Sequence, residues 1–176
     1  VIGHTETDYS EFYKLYSSTM KEIGSLPYYY FNQEYISNFK SLLGTNQTLL
    51  IANYQEKIIC TMLLMVYGKY AHYHLSGRLK EYSNLAANNL ILDQAIELAR
   101  EKGVQFFHFG GGNTNDADDP LFKFKTNFSK TYSEFYIGKK VINHSVYEQI
   151  CSIWEKENPT LKEKYKHFLL KYTQTK

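Results

Sequence analysis

Cysteine and proline are scarce in this chain, with only Cys60, Cys151 and three prolines among 176 residues. So few thiols exclude a disulfide framework, and no spacing of Cys and His matches a structural zinc site. The two cysteines lie far apart, each in an apolar pattern, and read as buried reduced thiols of a cytoplasmic protein. No apolar run reaches the roughly eighteen residues a membrane helix needs, and residues 1–10 lack the basic start and apolar middle of a signal peptide. Net charge is also small, +2 from 20 Lys and Arg against 18 Asp and Glu, so there is no global nucleic-acid footprint and any anion site must be local. The chain starts at Val1 and enters a helical pattern almost at once, which we take as the mark of a domain cut from something longer. Aromatics, by contrast, are plentiful: 17 Tyr and 11 Phe argue for a packed globular chain, long enough to bury a core without staples.

Periodicity orders the elements. Asp8 can cap a helix carrying Tyr9, Phe12, Tyr16, Met20 and Ile23 on one face, with Gly24 as its stop. A second helix spans about Asn32 to Leu43. Pro27 and the run Tyr28-Tyr29-Tyr30-Phe31 connect the two, carrying more aromatic surface than a passive linker needs; core packing is the competing use. Thr48 to Tyr54, Lys57 to Tyr67 and Tyr70 to Gly77 form a meander, and the poorly alternating run Ile58 to Val66 predicts a central strand covered on both faces. Asn84, or Ser83, can cap a helix running to Gly103; Val104 to Phe109 is a short strand reached by a right-handed crossover and hence parallel to the Tyr70 strand. A loop with three consecutive glycines follows, then a short helix from Pro120, a last strand or hairpin over Tyr132 to Val141, and two C-terminal helices parted by Asn158-Pro159. The expected class is α+β, a mixed α/β sheet: mostly antiparallel with one parallel strand pair, helices on both faces and a C-terminal helical extension. Residues 1–142 would be the domain proper and 143–176 the extension. Two strands bracketing one helix, with glycines at the exit of the second strand, put the ligand site at the carboxyl edge of that unit.

Certain residues carry a resemblance. Tyr73-His74-Leu75-Ser76-Gly77, Asn88-Asn89-Leu90, Gly103, Phe107-His108-Phe109-Gly110-Gly111-Gly112 and above all Asp119-Pro120-Leu121-Phe122-Lys123-Phe124-Lys125 with Phe128 resemble the GNAT acyltransferase superfamily, and within it the Fem aminoacyl transferases and the FemAB-related acetyltransferase domains. The match is specific over residues 70–138. Full Fem members carry two such domains in tandem, and this chain looks like the second. The resemblance implies transfer of an acyl or aminoacyl group to an amine, in the Fem enzymes from aminoacyl-tRNA to a peptidoglycan precursor. One departure bears on the donor. Acetyl-CoA-dependent members follow the equivalent of the Tyr70 strand with a glycine-rich loop that holds a pyrophosphate on backbone N–H groups. Here that place reads Arg78-Leu79-Lys80-Glu81-Tyr82-Ser83, which favours the Fem-like branch over an ordinary acetyltransferase and leaves the donor open between aminoacyl-tRNA and acyl-CoA.

Such chemistry needs a deprotonated amine, a polarised carbonyl and a stabilised oxyanion. Strand alternation puts His72, His74 and Ser76 on one face, so a histidine, His74 above all, is a candidate general base and Ser76 a catalytic companion; a hydrogen-bonded sheet histidine is the bland alternative, and His108 is open to the same two readings. By the resemblance, Phe124 and Lys125 lie at the donor, with the lysine serving its phosphate or the developing oxyanion. Gly110, Gly111 and Gly112 allow a close backbone approach, and Tyr73 and Arg78 complete the substrate-binding candidates. Asp116, Asp118 and Asp119 lack the pattern of a calcium loop, so helix capping at Pro120 is expected and no metal site. Two other readings stand beside the aminoacyl transferase: a non-catalytic binding module for a cell-envelope precursor that needs a preceding domain, and a conventional acyl-CoA-dependent N-acetyltransferase.

Overall fold

A computed structural model describes residues 1–114 and 116–174. They divide into two compact units, Val1–Ser129 and Lys130–Lys176. The first holds a five-stranded sheet in the order β1 (Ile2–Gly3), β2 (Gln47–Tyr54), β3 (Lys57–Tyr67), β4 (Tyr70–Arg78), β5 (Phe106–His108). All pairings are antiparallel except β4 with β5. Helices α1 (Glu6–Glu22) and α2 (Gln33–Leu43) cover one face, and α3 (Ala87–Glu101) the other, joined by the short helix α4 (Pro120–Thr126).

Alternation in the strands sorts the core between these faces. Leu49 and Ile51 of β2 and Leu63 of β3 meet Phe12, Tyr16, Ile36 and Phe39. Leu50, Met62 and Leu64 meet Ile91, Leu92, Ala95 and Ala99 of α3. The run Ile59 to Leu64 is buried throughout, as expected of a central strand. The β2–β3 turn falls on Gln55 and Glu56, both with positive φ, the geometry that matches strand twist in tight hairpins.

Several local expectations shift. Thr5, not Asp8, caps α1: Asp8 N donates to Thr5 Oγ1 at 3.1 Å while Asp8 Oδ2 accepts from Thr5 N at 2.8 Å, a reciprocal capping box. Helix α3 starts at Ala87 rather than Asn84, because Lys80–Leu85 forms a 3-10 turn and Ala86, at φ 51°, breaks the helical path. The last predicted strand, over Tyr132 to Val141, fails altogether. Residues 130–141 form no strand, and Phe135, Tyr136 and Ile137 are exposed; strand-like composition without an edge to pair with does not hold a ladder. The second unit instead comprises α5 (His144–Glu157), α6 (Pro159–Tyr165) and a terminal turn. There Tyr147 Oη donates to Leu169 O at 2.8 Å, Trp154 Nε1 donates to Gln174 O at 2.9 Å, and Glu155 pairs with Lys162 and Lys171.

Where α1 crosses β4 the approach is closest. A Cβ on Gly77 would lie 2.3 Å from Tyr16 N and 2.5 Å from the carbonyl carbon of Leu15, so only glycine lets the helix backbone rest on the strand. Thr19 secures the crossing, its Oγ1 accepting from Arg78 N at 2.9 Å and donating to Leu15 O at 2.7 Å. Because the obstruction is backbone on both sides, Gly77→Ala should destabilise the chain by about 3 kcal/mol, measured by urea unfolding with an unchanged m-value. A loss below about 1 kcal/mol would contradict this packing.

Candidate active site

Strand β4 carries a bulge. Leu63 of β3 pairs with Leu75 but Leu64 pairs with Tyr73, leaving His74 as the extra residue. Side chains on either side of it therefore fall out of simple alternation. His74 and Leu75 both turn to the α1–α2 face, where the His74 ring sits 5.2 Å from Phe39. Tyr73 packs on the α3 face, and Ser76 joins it there through a Tyr73 Oη–Ser76 Oγ hydrogen bond of 2.5 Å. Ser76 thus lies opposite His74 across the sheet, not beside it as plain alternation predicts.

Pairing of β4 with β5 covers only Tyr70–His72 against Phe106–His108. Beyond it the strands part, and the last pair is closed by the side chains, His72 Nδ1 and His108 Nδ1 sharing a hydrogen bond of 2.9 Å. The chain then enters the glycine loop. Gly110 takes φ 76°, and a Cβ placed on it would lie 3.2 Å from Lys125 Nζ and 4.0 Å from His72 Cε1. The absent side chain lets the loop backbone come up against an ammonium group and an imidazole. Gly111 offers its carbonyl to Lys125 Nζ at 2.6 Å, and the same ammonium stands 5.4 Å from the Tyr73 ring centre.

One buried carboxylate ties this loop to α4. Asp119 Oδ1 accepts from Phe122 N at 3.0 Å, capping the helix, while Oδ2 accepts from Asn113 N at 3.0 Å and Thr114 N at 3.1 Å. Gly112 must be glycine for this to happen, since a Cβ there would fall 2.6 Å from Asp119 Oδ1. An Asp-Pro pair at a helix start signals the cap; the second oxygen's grip on a loop six residues back has no sequence signal, and that is the functional feature the residue pattern did not reveal.

Electrostatics follow burial. Lys125 is pushed down to about 8 by burial, with Asp119 opposing the shift. His74 is pushed down to about 4 by burial and then by His72, and its Nε2 is buried with no hydrogen-bond partner. Burial and then the His108 charge also lower His72. Burial thus favours the uncharged form of all three groups: His74 is neutral at pH 7, His72 is biased the same way, and Lys125, at about 8, remains mostly protonated there.

The remaining candidates divide. Lys125, Gly110, Gly111, Gly112 and Tyr73 converge with His72 and His108 at the parting of the strands. Phe124 is half-buried in the α3-side core, edge-on to Phe128 at 5.6 Å, and serves as the anchor of α4 rather than a cleft wall. Arg78 lies at the far end of β4, six residues or roughly 20 Å beyond His72 at ordinary strand rise, held by Glu22 at 3.1 Å and by Ser83. Among the described residues no group of three His, Cys, Asp or Glu could hold a metal ion, and no helix is long and apolar enough to cross a membrane. Both cysteines are free and buried.

Comparison with known proteins bears on this geometry. A family model described as an acetyltransferase (GNAT) domain matches residues 1–125. A UDP-N-acetylmuramoylpentapeptide-lysine N(6)-alanyltransferase of Weissella viridescens is 24% identical over 151 residues, 84% of this chain and 44% of the relative. The chain thus spans less than half the length of that protein. Among solved structures, a Trypanosoma brucei acetyltransferase superposes with a TM-score of 0.56 at 13% identity, over 80% of this chain and 97% of its own. An aminoglycoside acetyltransferase from an uncultured soil metagenomic sample gives 0.60 at 10% identity, over 80% and 97%. At such identities the likeness is one of fold.

The depressed Lys125 makes a direct prediction. Its folded value, about 8, lies below the 10.5 of an ordinary lysine, so between those limits the unfolded chain binds more protons and stability rises with pH. Titration of 13C-labelled lysine should give one side chain with a midpoint near 8, absent in Lys125→Met, and the methionine variant should lose that rise in stability. An ordinary midpoint for every lysine would contradict the burial of Lys125.

Proposed function

The chain belongs to the acetyltransferase (GNAT) domain family, as a FemAB-related member, and from that premise we propose that the cleft between β4 and β5 transfers an aminoacyl group to an amine. The observation that carries this is the convergence of Lys125 Nζ and His72 on the glycine loop: a Cβ on Gly110 would lie 3.2 Å from the one and 4.0 Å from His72 Cε1, while one on Gly111 would meet nothing within 4 Å. An ester carbonyl entering there meets an ammonium group able to donate to a phosphate of the donor or to the oxyanion formed on attack. The His72 imidazole, whose charged form burial disfavours, supplies a lone pair for the proton the amine gives up, and that proton passes to the departing ribose hydroxyl of the donor. The donor's reactive end approaches the backbone of Gly110 and Gly111, where no side chain intervenes, and Tyr73 walls the cleft beneath Lys125. Ser76 orients the Tyr73 hydroxyl.

Aminoacyl-tRNA rather than acyl-CoA is the proposed donor. The turn before α3 contains no glycine, Ala86 occupies a left-handed conformation at the helix start, and the Arg78 guanidinium is already paired with Glu22. A diphosphate finds no open row of backbone amides of the usual kind there. For the acceptor, a peptidoglycan precursor is the proposal, in line with what the Weissella relative's name says of that protein. Because the chain spans 44% of that relative, we also propose that a preceding GNAT domain of the same polypeptide completes the sites, with residues 1–142 as the catalytic GNAT-like domain and 143–176 as its helical extension. The same coverage supports a second reading, a non-catalytic module that recognises an envelope precursor and depends on that missing half. Free, buried Cys60 and Cys151 suit a reducing compartment, in keeping with a cytoplasmic site of action.

Transfer should be assayed with aminoacyl-tRNA and with acetyl-CoA in parallel, using a lysine-containing precursor peptide as acceptor. Aminoacyl transfer is expected, falling by about a hundredfold or more in kcat/KM for Lys125→Ala with the fold retained. Acetyl transfer alone would make the protein a conventional N-acetyltransferase, and a Lys125→Ala rate within about threefold of the parent would remove the lysine from the chemistry.

A further inference from the structure

The connector between α1 and α2 holds three tyrosines and the first turn of α2 a fourth that nothing above employs, all substantially exposed: Tyr28 at 76%, Tyr29 at 42%, Tyr30 at 45% and Tyr35 at 40%. They are not a loose surface patch. Tyr16 Oη donates to Tyr29 O at 2.7 Å and Tyr30 Oη donates to Met20 O at 3.2 Å, so the connector backbone is clamped onto α1. From it a ladder of rings descends to the cleft. Tyr28 meets Phe31 edge-on at 6.1 Å, Phe31 stacks on Tyr35 at 4.3 Å, Tyr35 meets Phe39 at 5.1 Å, and Phe39 lies 5.2 Å from His74. His74 is in turn 5.9 Å from His72. The exposed rings of Tyr28 and Tyr35 are thus linked, through the buried Phe39 and through His74, to His72 at the proposed reaction site.

The surrounding chemistry restricts what can lie on it. From Gly24 to Phe39 there is no Lys or Arg, and Glu34 is the sole charge. No cation stands over the Tyr28, Phe31 or Tyr35 rings among the described residues, whereas Lys125 stands over Tyr73. A stacked nucleic acid would bring phosphates that this stretch does not neutralise. A purely apolar partner is a poor match as well, because the rings end in hydroxyls and are interleaved with exposed Asn32, Gln33 and Asn38. Flat rings with phenolic tips beside side-chain amides suit a neutral, hydroxyl-bearing ring, whose C–H face stacks while its oxygens take the hydrogen bonds.

We propose that Tyr28, Tyr35 and the rings between them form a saccharide platform that holds a sugar of the acceptor while its amine reaches the β4–β5 cleft. The role assigned to that sugar rests on the transfer reading above; the binding itself does not. It is tested by titrating the intact chain with chitotetraose, a neutral amino-sugar tetramer, and separately with oligo-dT, by calorimetry. Tetramer binding is expected, weakened at least about tenfold in Tyr28→Ala and in Tyr35→Ala and by about threefold in Tyr28→Phe, which keeps the ring and loses only the hydroxyl. Circular dichroism identifies any variant that fails to fold, and the Phe variant then decides. Absence of tetramer binding, binding insensitive to both alanine changes, or preference for oligo-dT would each overturn the platform. Transfer is not read in this titration, so a chain that binds the tetramer through these rings and transfers nothing would remove the enzymatic reading and keep the sugar site.

Discussion

A pleated strand sends successive side chains to opposite faces, and β4 breaks that rule once, at His74. The bulge gives His74 and Leu75 to the same face and returns Ser76 to the other. Downstream, it sets Gly77 directly beneath α1, where the absence of a side chain admits the helix backbone. Upstream, β4 meets the three-residue β5 over only the residues 70–72. The helix crossing and the separation of Ser76 from His74 both follow from that one extra residue in one strand.

The second constraint is the carboxylate of Asp119. A seven-residue helix contributes little stability of its own, so α4 would not hold Lys125 in place without help. Asp119 provides it by capping α4 and at the same time accepting amides from the glycine loop. Hydrogen bonds to Phe122, Thr114 and Asn113 hold that carboxyl below the usual carboxylate range, so it stays ionised. Its negative charge offsets part of the cost of burying the Lys125 ammonium. Phe124 and Phe128 fix the opposite side of α4 in the core. The lysine is therefore positioned by packing below and by a carboxylate above, on a loop whose glycines leave its surroundings open.

Much of this was legible in the residues because it depends on local pattern. The meander, the buried central strand, the crossover to a parallel strand and the Phe124–Lys125 segment all have periodicity or turn chemistry behind them. What escaped depends on neighbours distant in sequence. Nothing in Tyr73-His74-Leu75 announces a bulge, since it is set by how Leu63 and Leu64 meet the strand. Asn84 looks like a cap, but Ala86 in a left-handed conformation decides where α3 begins. Residues 132–141 have strand composition, yet β-branched and aromatic side chains make a strand only against a partner edge. Arg78 appeared to belong with the cleft because it ends the right strand, and six residues of strand rise carry it away.

We propose that the donor's reactive end lies at Gly110, Gly111 and Lys125 and not at the turn before α3. Amide chemical-shift mapping of the labelled chain with a non-hydrolysable aminoacyl-adenosine amide, and in parallel with coenzyme A, tests it most directly. Shifts at His72, Gly110 to Gly112 and Lys125 on adding the adenosine amide, with residues 80–86 unmoved, are the predicted result. Shifts centred on residues 80–86 with coenzyme A, and a silent glycine loop with the adenosine amide, would contradict it.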